Sequence, residues 1–536
     1  MTRSRAALLA VVLLVAGLTF SGVLRNGFVW DDDGFIVRNL AMHDLANVPR
    51  FFVSGDALGT GGDNPYYRPL TTTTFALDWA LWGENAAGHH ATSLALHLAV
   101  CALVFLVAAR LSLRIGSAFA AALWFAVHPA NSEPVAYISA RADLLCAAFL
   151  LGSFLLYLRY LERPSPRFLG GSAAVYVLAL LSKGVAVILP FVMLVHLWSY
   201  VRRPDRVRVV LPYVGLTFAF LGLRTLVLHM DSWDPVPWIT RLATTMVTLA
   251  SYIRYTVLPI GLKVAYDTEP ATSVLEPRVL LSAAVLVAIA VPVFLAILRK
   301  RRWPLGVVWF VLALLPVSGL LTLLVPTLMA DRYLYVPISG ASLALAAGLD
   351  RLPEPAFGWR FPRLPRVALA GCVLGLALVT AGRIPAWHDP VTLGELATAQ
   401  APERLWILDN LGAAYGRAGD LDAAERTFLR MGELEKRFFD SPSPRLLMRF
   451  AMVALDRGDL LRAEHGVRAA LAQVPDDWKA YEVLGIIRLR QGDPEGAKVA
   501  LLHSLELHPF NRRAMQLLQL ARDGPAAAAG GDEGGS

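Results

Sequence analysis

Apolar runs of ~20 residues recur from the start of this chain to about residue 385, and a run of that length is a helix that spans a bilayer. Only a helix or a closed barrel satisfies its own backbone inside hydrocarbon. Of the 536 residues, 56% are hydrophobic and 17% charged, with a mean hydropathy of +0.51, outside the range of an ordinary soluble chain. Lys and Arg outnumber Asp and Glu by 50 to 42. The excess sits in short clusters between apolar runs, such as Arg299 to Trp303, which is a pattern of membrane topology and not of nucleic-acid binding. Cys101, Cys146 and Cys372 lie singly in apolar stretches, so neither a disulfide framework nor a metal site is expected from them.

The run from Ala6 to about Leu24 follows Arg3 and Arg5 as a secretory leader would. No small-x-small cleavage site ends it and the aromatic-acidic segment FVWDDDGF comes next, so it is read as an uncleaved first span. Ten further runs centre near residues 100, 121, 152, 174, 191, 218, 289, 315, 342 and 374, which makes eleven spans in all. This count puts the Arg clusters at 110–114, 159–167, 202–208, 299–302 and 351–366 on the side of the N-terminus, the cytoplasmic side by the positive-inside rule. Arg241 to Leu262 is apolar too, but counting it would move Arg299 to Arg302 outside; it is assigned to the interface or to a re-entrant segment. An odd count leaves the loop Asn26 to His90, and everything after the last span, on the outer face.

Beyond Trp387 hydropathy falls and Gly-Asp pairs recur at Gly419-Asp420, Gly458-Asp459 and Gly492-Asp493, spaced 39 and 34 residues apart. The second spacing is the ~34-residue period of tetratricopeptide repeats. Leu411-Gly412 with Tyr415, and Leu484-Gly485, fit the first helix of such a repeat, and Pro509 ends a second. The expected fold is all-α: a polytopic helical membrane domain over residues 1–386, a tetratricopeptide-repeat solenoid over 387–523, and a disordered Ala-, Gly- and acid-rich tail over 524–536.

Polar residues in the outer loops carry the candidate chemistry. Asp31, Asp32 and Asp33 follow the first span between Phe28, Trp30 and Phe35. They form either a solvated acidic turn or, since adjacent carboxylates raise each other's proton affinity, a general base for an acceptor hydroxyl. His128, Glu133, Arg141 and Asp143 crowd a short loop between two apolar helices, where unpaired charge is costly; they either pair with neighbours or face a wet cavity. His128 has no companion His or Cys cluster and is read as a hydrogen-bonded wall residue. Lys183 and Arg332 offer cations to a lipid phosphate, with snorkelling to the headgroups as the alternative. Tyr66, Tyr67, Arg68 and Pro69 either stack on a sugar or anchor the loop. There is no phosphate-binding glycine loop or dinucleotide fingerprint.

These segments resemble the transmembrane and tetratricopeptide-repeat (TMTC-like) protein O-mannosyltransferases and their bacterial relatives, of the GT-C class. FVWDDDGFI resembles the family's Phe-Val-aromatic-Asp-Asp segment, YYRPLTTTTF its Tyr-Arg-Pro-Leu segment, and HHATSLALH the start of its second span. FAVHPANSEPVAYISARADLL carries its His-Pro, Glu and Gly-Arg-Ala-Asp pattern with Ala140 in place of Gly, and DRYLYVP is similar to its Glu-Arg-Tyr-Leu-Tyr-Pro signature. The resemblance implies a GT-C-like glycosyltransferase that moves a sugar, mannose in the family, from a polyprenyl-phosphate donor to a protein hydroxyl with inversion. It assigns Asp31 and Asp32 to catalysis, Arg68 and the loop from His128 to Asp143 to the cavity, and Arg332 to the donor phosphate, with Tyr333 a further substrate-binding candidate. Where the family has Lys-Glu this chain has Lys183-Gly184, so one acid of the cavity is missing. No obligatory cofactor is implied, although paired Asp residues leave Mg²⁺ or Mn²⁺ open. The repeats are expected to hold the acceptor polypeptide in their groove, and the outer face would be periplasmic in a bacterial inner membrane or luminal in a reticulum membrane. A membrane-anchored repeat scaffold and a lipid or polysaccharide transporter are the rivals. Polar groups gathered at one face of the membrane domain argue against both.

Overall fold

The computed structural model describes residues 3–54, 66–111, 114–201, 204–228, 236–320, 327–351, 363–509 and 511–523. They form helices joined by turns, with no strand among the described residues, and divide into two compact units, Met1–Asp389 and Pro390–Ser536. The tail expected to be disordered lies outside the described residues.

Among the described residues of the first unit, seven helices are long and apolar enough to cross a membrane: Arg3–Arg25, Ala86–Arg110, Ile138–Glu162, Gly184–Val201, Arg206–Leu228, Pro277–Leu298 and Val367–Trp387. The remaining four expected spans fall on shorter helices, Ile115–Ala126, Pro166–Ser182, Pro304–Val317 and Tyr335–Leu349. They are short because polar or proline-bearing segments interrupt their apolar runs: His128-Pro129, Lys183, Pro316 and the Asp331-Arg332 turn. The count of eleven is thus seven full spans and four short helices. Leu280, Leu281, Val287, Phe294, Leu374 and Leu378 are exposed on the outer helices, where water would be a poor solvent. The chain is an integral membrane protein.

Arg241 to Leu262 forms the helix Trp238–Val257, which is not apolar enough to count as a span. Its buried face is rich in hydroxyls: Thr245 and Thr248 donate to the Ser318 carbonyl at 3.2 and 3.4 Å. Between Pro304–Leu314 and Tyr335–Leu349 small residues let backbones touch, since a Cβ on Gly306 would lie 2.3 Å from the Ala344 nitrogen.

The first long loop folds back onto the helix ends. Ile36, Met42, Phe51, Phe75, Ala76 and Ile138 form a small apolar core flanked by Phe28, Phe35 and Trp79. The exit of the first span is pinned to the end of the last, because the Gly27 amide donates to the His388 carbonyl at 2.8 Å.

The second unit is a tetratricopeptide-type stack of helix pairs. Leu405–Arg417 pairs with Leu421–Glu435, Pro444–Asp456 with Leu460–Gln473, and Trp478–Arg490 with Pro494–Leu507, before a last helix Arg512–Asp523. Each pair turns on its Gly-Asp dipeptide. Gly419, Gly458 and Gly492 adopt φ of +82°, +81° and +75°, and the following Asp caps the second helix, its carboxylate accepting from the amide of Ala423, Arg462 or Gly496 at 2.9, 3.0 or 2.8 Å. Gly412 and Gly485 mark the close crossings, where a Cβ would meet Phe428 at 2.4 Å and Leu501 at 2.6 Å.

Candidate active site

The two matched carboxylates at the end of the first span have different surroundings. Asp32 is fully buried and its oxygens are occupied: one accepts from the Val29 amide at 3.0 Å, the other from the Ser139 amide at 2.7 Å and the Ser139 hydroxyl at 2.5 Å. Burial pushes its carboxyl up to about 7, with those hydrogen bonds pulling the other way. Asp31 is exposed, and its amide donates to the Tyr137 hydroxyl at 3.3 Å. Asp33, outside the matched pair, forms an ion pair with Arg38.

A wall of aromatic rings stands behind Asp31. Tyr137 stacks on Trp387 with centroids 5.4 Å apart, and Trp30 meets both edge-on at 6.0 and 5.4 Å. Trp30 adopts φ of +47°, a left-handed conformation that a bulky side chain rarely takes.

The cations lie on three other segments. Arg332, in the turn Asp331–Leu334, is ion-paired with Glu133 and donates its amide to the same carboxylate at 3.0 Å. Lys183, between Pro166–Ser182 and the next span, contacts both Asp143 oxygens at 2.7 Å. Both converge on Tyr333, whose ring lies 5.4 Å from the Lys183 ammonium and 5.2 Å from the Arg332 guanidinium. Arg68 covers the Tyr66 ring at 4.1 Å, within electrostatic reach of Lys183 and Tyr333. It has no carboxylate partner among the described residues. Asp143 meets the Lys183 charge without the missing family acid, and a Cβ on Gly184 would meet nothing within 4 Å.

Two sequence candidates stand apart from this cluster. Arg141 is fully buried and committed to the scaffold: it pairs with Asp78 at 2.6 Å and donates to the His89 carbonyl at 2.9 Å and the Thr74 carbonyl at 3.3 Å. Its Nε also reaches the Ser93 hydroxyl at 3.4 Å, so four of the five donors of this buried guanidinium meet the scaffold. His128 is similarly occupied. Its Nδ1 accepts from the Ala130 amide at 3.2 Å, so its Nε2 carries the proton and donates to the Thr256 carbonyl at 3.1 Å. Burial pushes the imidazole down to about 4 and keeps it neutral. Both ring nitrogens of His128 are thus hydrogen-bonded within the protein.

Asp331 and Arg383, which adjoin the Arg332 turn, and Asp78, the buried partner of Arg141, are ionisable residues that sequence reasoning missed. Asp331 bonds the Arg383 guanidinium at 2.7 Å and the Tyr266 hydroxyl at 2.6 Å, and Arg383 also reaches the Ser132 hydroxyl at 3.0 Å and the Leu262 carbonyl at 2.7 Å. Asp331 sits inside the quoted DRYLYVP and Asp78 is a lone acid in an apolar stretch; both carried the signal of ionisable residues at membrane depth. Arg383 closes an apolar run and looks like an ordinary flank. No three His, Cys, Asp or Glu side chains among the described residues cluster to hold a metal ion.

No family model matches the chain. Protein O-mannosyl-transferase TMTC3 of Mus musculus is 33% identical over 150 residues, 27% of this chain and 16% of the relative. Protein O-mannosyl-transferase Tmtc1 of Drosophila melanogaster is 36% identical over 151 residues, 27% of this chain and 18% of the relative. The chain is similar to TMTC protein O-mannosyl-transferases. The TMTC match spans less than a fifth of the length of those two relatives. Among solved structures, ArnT of Cupriavidus metallidurans bound to undecaprenyl phosphate aligns over 87% of this chain and 80% of its own, with 14% identity and a TM-score of 0.37, too loose a likeness to build on.

Proposed function

We propose that this chain is a membrane glycosyltransferase that moves a sugar from a polyprenyl-phosphate donor to a hydroxyl of a protein acceptor on the outer face. Mannose is the sugar that its TMTC-like stretch suggests. The observation that carries the reading is the convergence of Arg68, Lys183 and Arg332, from three distant segments, on Tyr333, together with a solvent-open carboxylate, Asp31, whose amide bonds the Tyr137 hydroxyl.

The chemistry needs both groups, the carboxylate and the cations. Asp31 takes the proton of the acceptor hydroxyl as its oxygen attacks the anomeric carbon. The bond from that carbon to the phosphate oxygen breaks on the opposite face, so configuration inverts. The departing lipid phosphate gains negative charge, which Arg68 meets directly and Lys183 and Arg332 meet while held in place by Asp143 and Glu133. Phosphate leaves without a general acid. Asp32, locked between Val29 and Ser139, positions the turn that bears Asp31 and does not itself take the proton. The repeat unit is assigned the recruitment of the acceptor polypeptide.

The test is transfer of radiolabel from polyprenyl-phosphate mannose to envelope proteins in membranes carrying wild type or Asp31→Asn at matched expression. Labelling by the wild type that falls ~100-fold or more in the variant is expected. Equal labelling by both removes Asp31 as the base, and no labelling by the wild type removes this donor.

A further inference from the structure

Tyr137 occupies the turn between the short helix Ser132–Ala136 and the span that begins at Ile138, and it is 3% exposed. No motif in the sequence singles it out. Its ring is fixed by the stack on Trp387 and the edge of Trp30, and its amide donates to the Glu133 carbonyl at 2.9 Å. Glu133 is the acid that pairs with Arg332. Tyr137 is therefore tied to Glu133 by its backbone and to Asp31 by its hydroxyl. The hydroxyl accepts from the Asp31 amide at 3.3 Å, and its proton stands in electrostatic range of the Asp31 carboxylate, as the ring does of Arg332.

A phenol so placed keeps its proton: burial pushes its ionisation well above the ordinary value, and Asp31 and Asp32 push the same way. It is a permanent donor beside an exposed carboxylate. A donor on one carboxylate oxygen restricts rotation of the group and leaves the second oxygen's lone pairs for the acceptor hydroxyl.

The geometry points to Tyr137 as a positioning residue, whose hydroxyl anchors Asp31 through its amide and steadies its carboxylate beside the Trp30–Trp387 wall. This rests on the reading of Asp31 as the base. The test uses the full chain in liposomes and four forms: wild type, Tyr137→Phe, Asp31→Asn and the double variant. Phe keeps the ring and its stack. In Tyr137→Phe we expect kcat to fall about 10- to 100-fold with the donor KM held within about twofold, and no further loss when the change is added to Asp31→Asn. An unchanged kcat in Tyr137→Phe, or a loss that multiplies with that of Asp31→Asn, overturns the inference. Full activity of Asp31→Asn overturns the base assignment instead. A readout independent of transfer separates the two: modification of Asp31 by a water-soluble carbodiimide, followed by peptide mass, is expected to run several-fold faster in Tyr137→Phe. Equal rates there mean that the hydroxyl does not hold the carboxylate.

Discussion

Asp32 couples the stability of this fold to pH. Its carboxyl is pushed up to about 7 by burial, and Asp331 reaches about 7 mainly for the same reason, against Arg383. A carboxyl that holds its proton more tightly folded than unfolded contributes fully below the unfolded value near 4, and that contribution is lost as pH rises through the folded value. The apparent Tm of the detergent-solubilised chain should therefore drop between about pH 5 and pH 8, and drop less in Asp32→Asn. The variant should also be less stable at pH 5 by ~1 kcal/mol, because an amide cannot accept from both Val29 and Ser139. A pH slope that is the same in both would show that Asp32 does not titrate there. Consecutive acids at the end of an apolar run are conspicuous in the sequence. Which of them is buried is not, because Ser139, the partner that settles it, lies 107 residues away. The same holds for Lys183 and Asp143, 40 residues apart.

At the scale of elements, the Gly-Asp joints are the features most completely written in local sequence. Gly458 ends one helix in a left-handed conformation with open space around its missing Cβ, so Gly458→Ala is a purely conformational cost of ~1 kcal/mol. Asp459→Ala removes a cap worth ~1 kcal/mol. Hydrogen exchange of the full chain should show the helices Pro444–Asp456 and Leu460–Gln473 losing protection in either variant while the membrane helices keep theirs. Uniform loss throughout would mean that the repeats do not open by themselves. Spans were less legible than repeats. Hydropathy finds the apolar runs, but the lengths of Ile115–Ala126, Pro166–Ser182 and Tyr335–Leu349 depend on turns whose polar residues also have distant partners, His128 with Thr256, Lys183 with Asp143 and Asp331 with Arg383.

For the whole molecule, the arrangement of charge predicts sidedness. Arg299 to Arg302 and Arg351 flank apolar helices on one side, with Arg302 over the Tyr200 ring at 5.2 Å and Arg351 over Trp303 at 5.5 Å, an interfacial belt of basic and aromatic groups. Seven full spans and four short helices make an odd number, so a reporter fused after Ser536 should read as outer-face and one placed near Arg301 as cytoplasmic. A cytoplasmic reading at Ser536 would move the repeats away from the compartment assigned to Asp31. The repeat joints also bear on heredity. Each needs only a glycine and an aspartate, and the aspartate is satisfied within three residues of itself. In-frame duplication or loss of one helix pair therefore carries its own joint with it, so descendants of such a gene can lengthen or shorten their reach in whole steps while the membrane half is inherited unaltered.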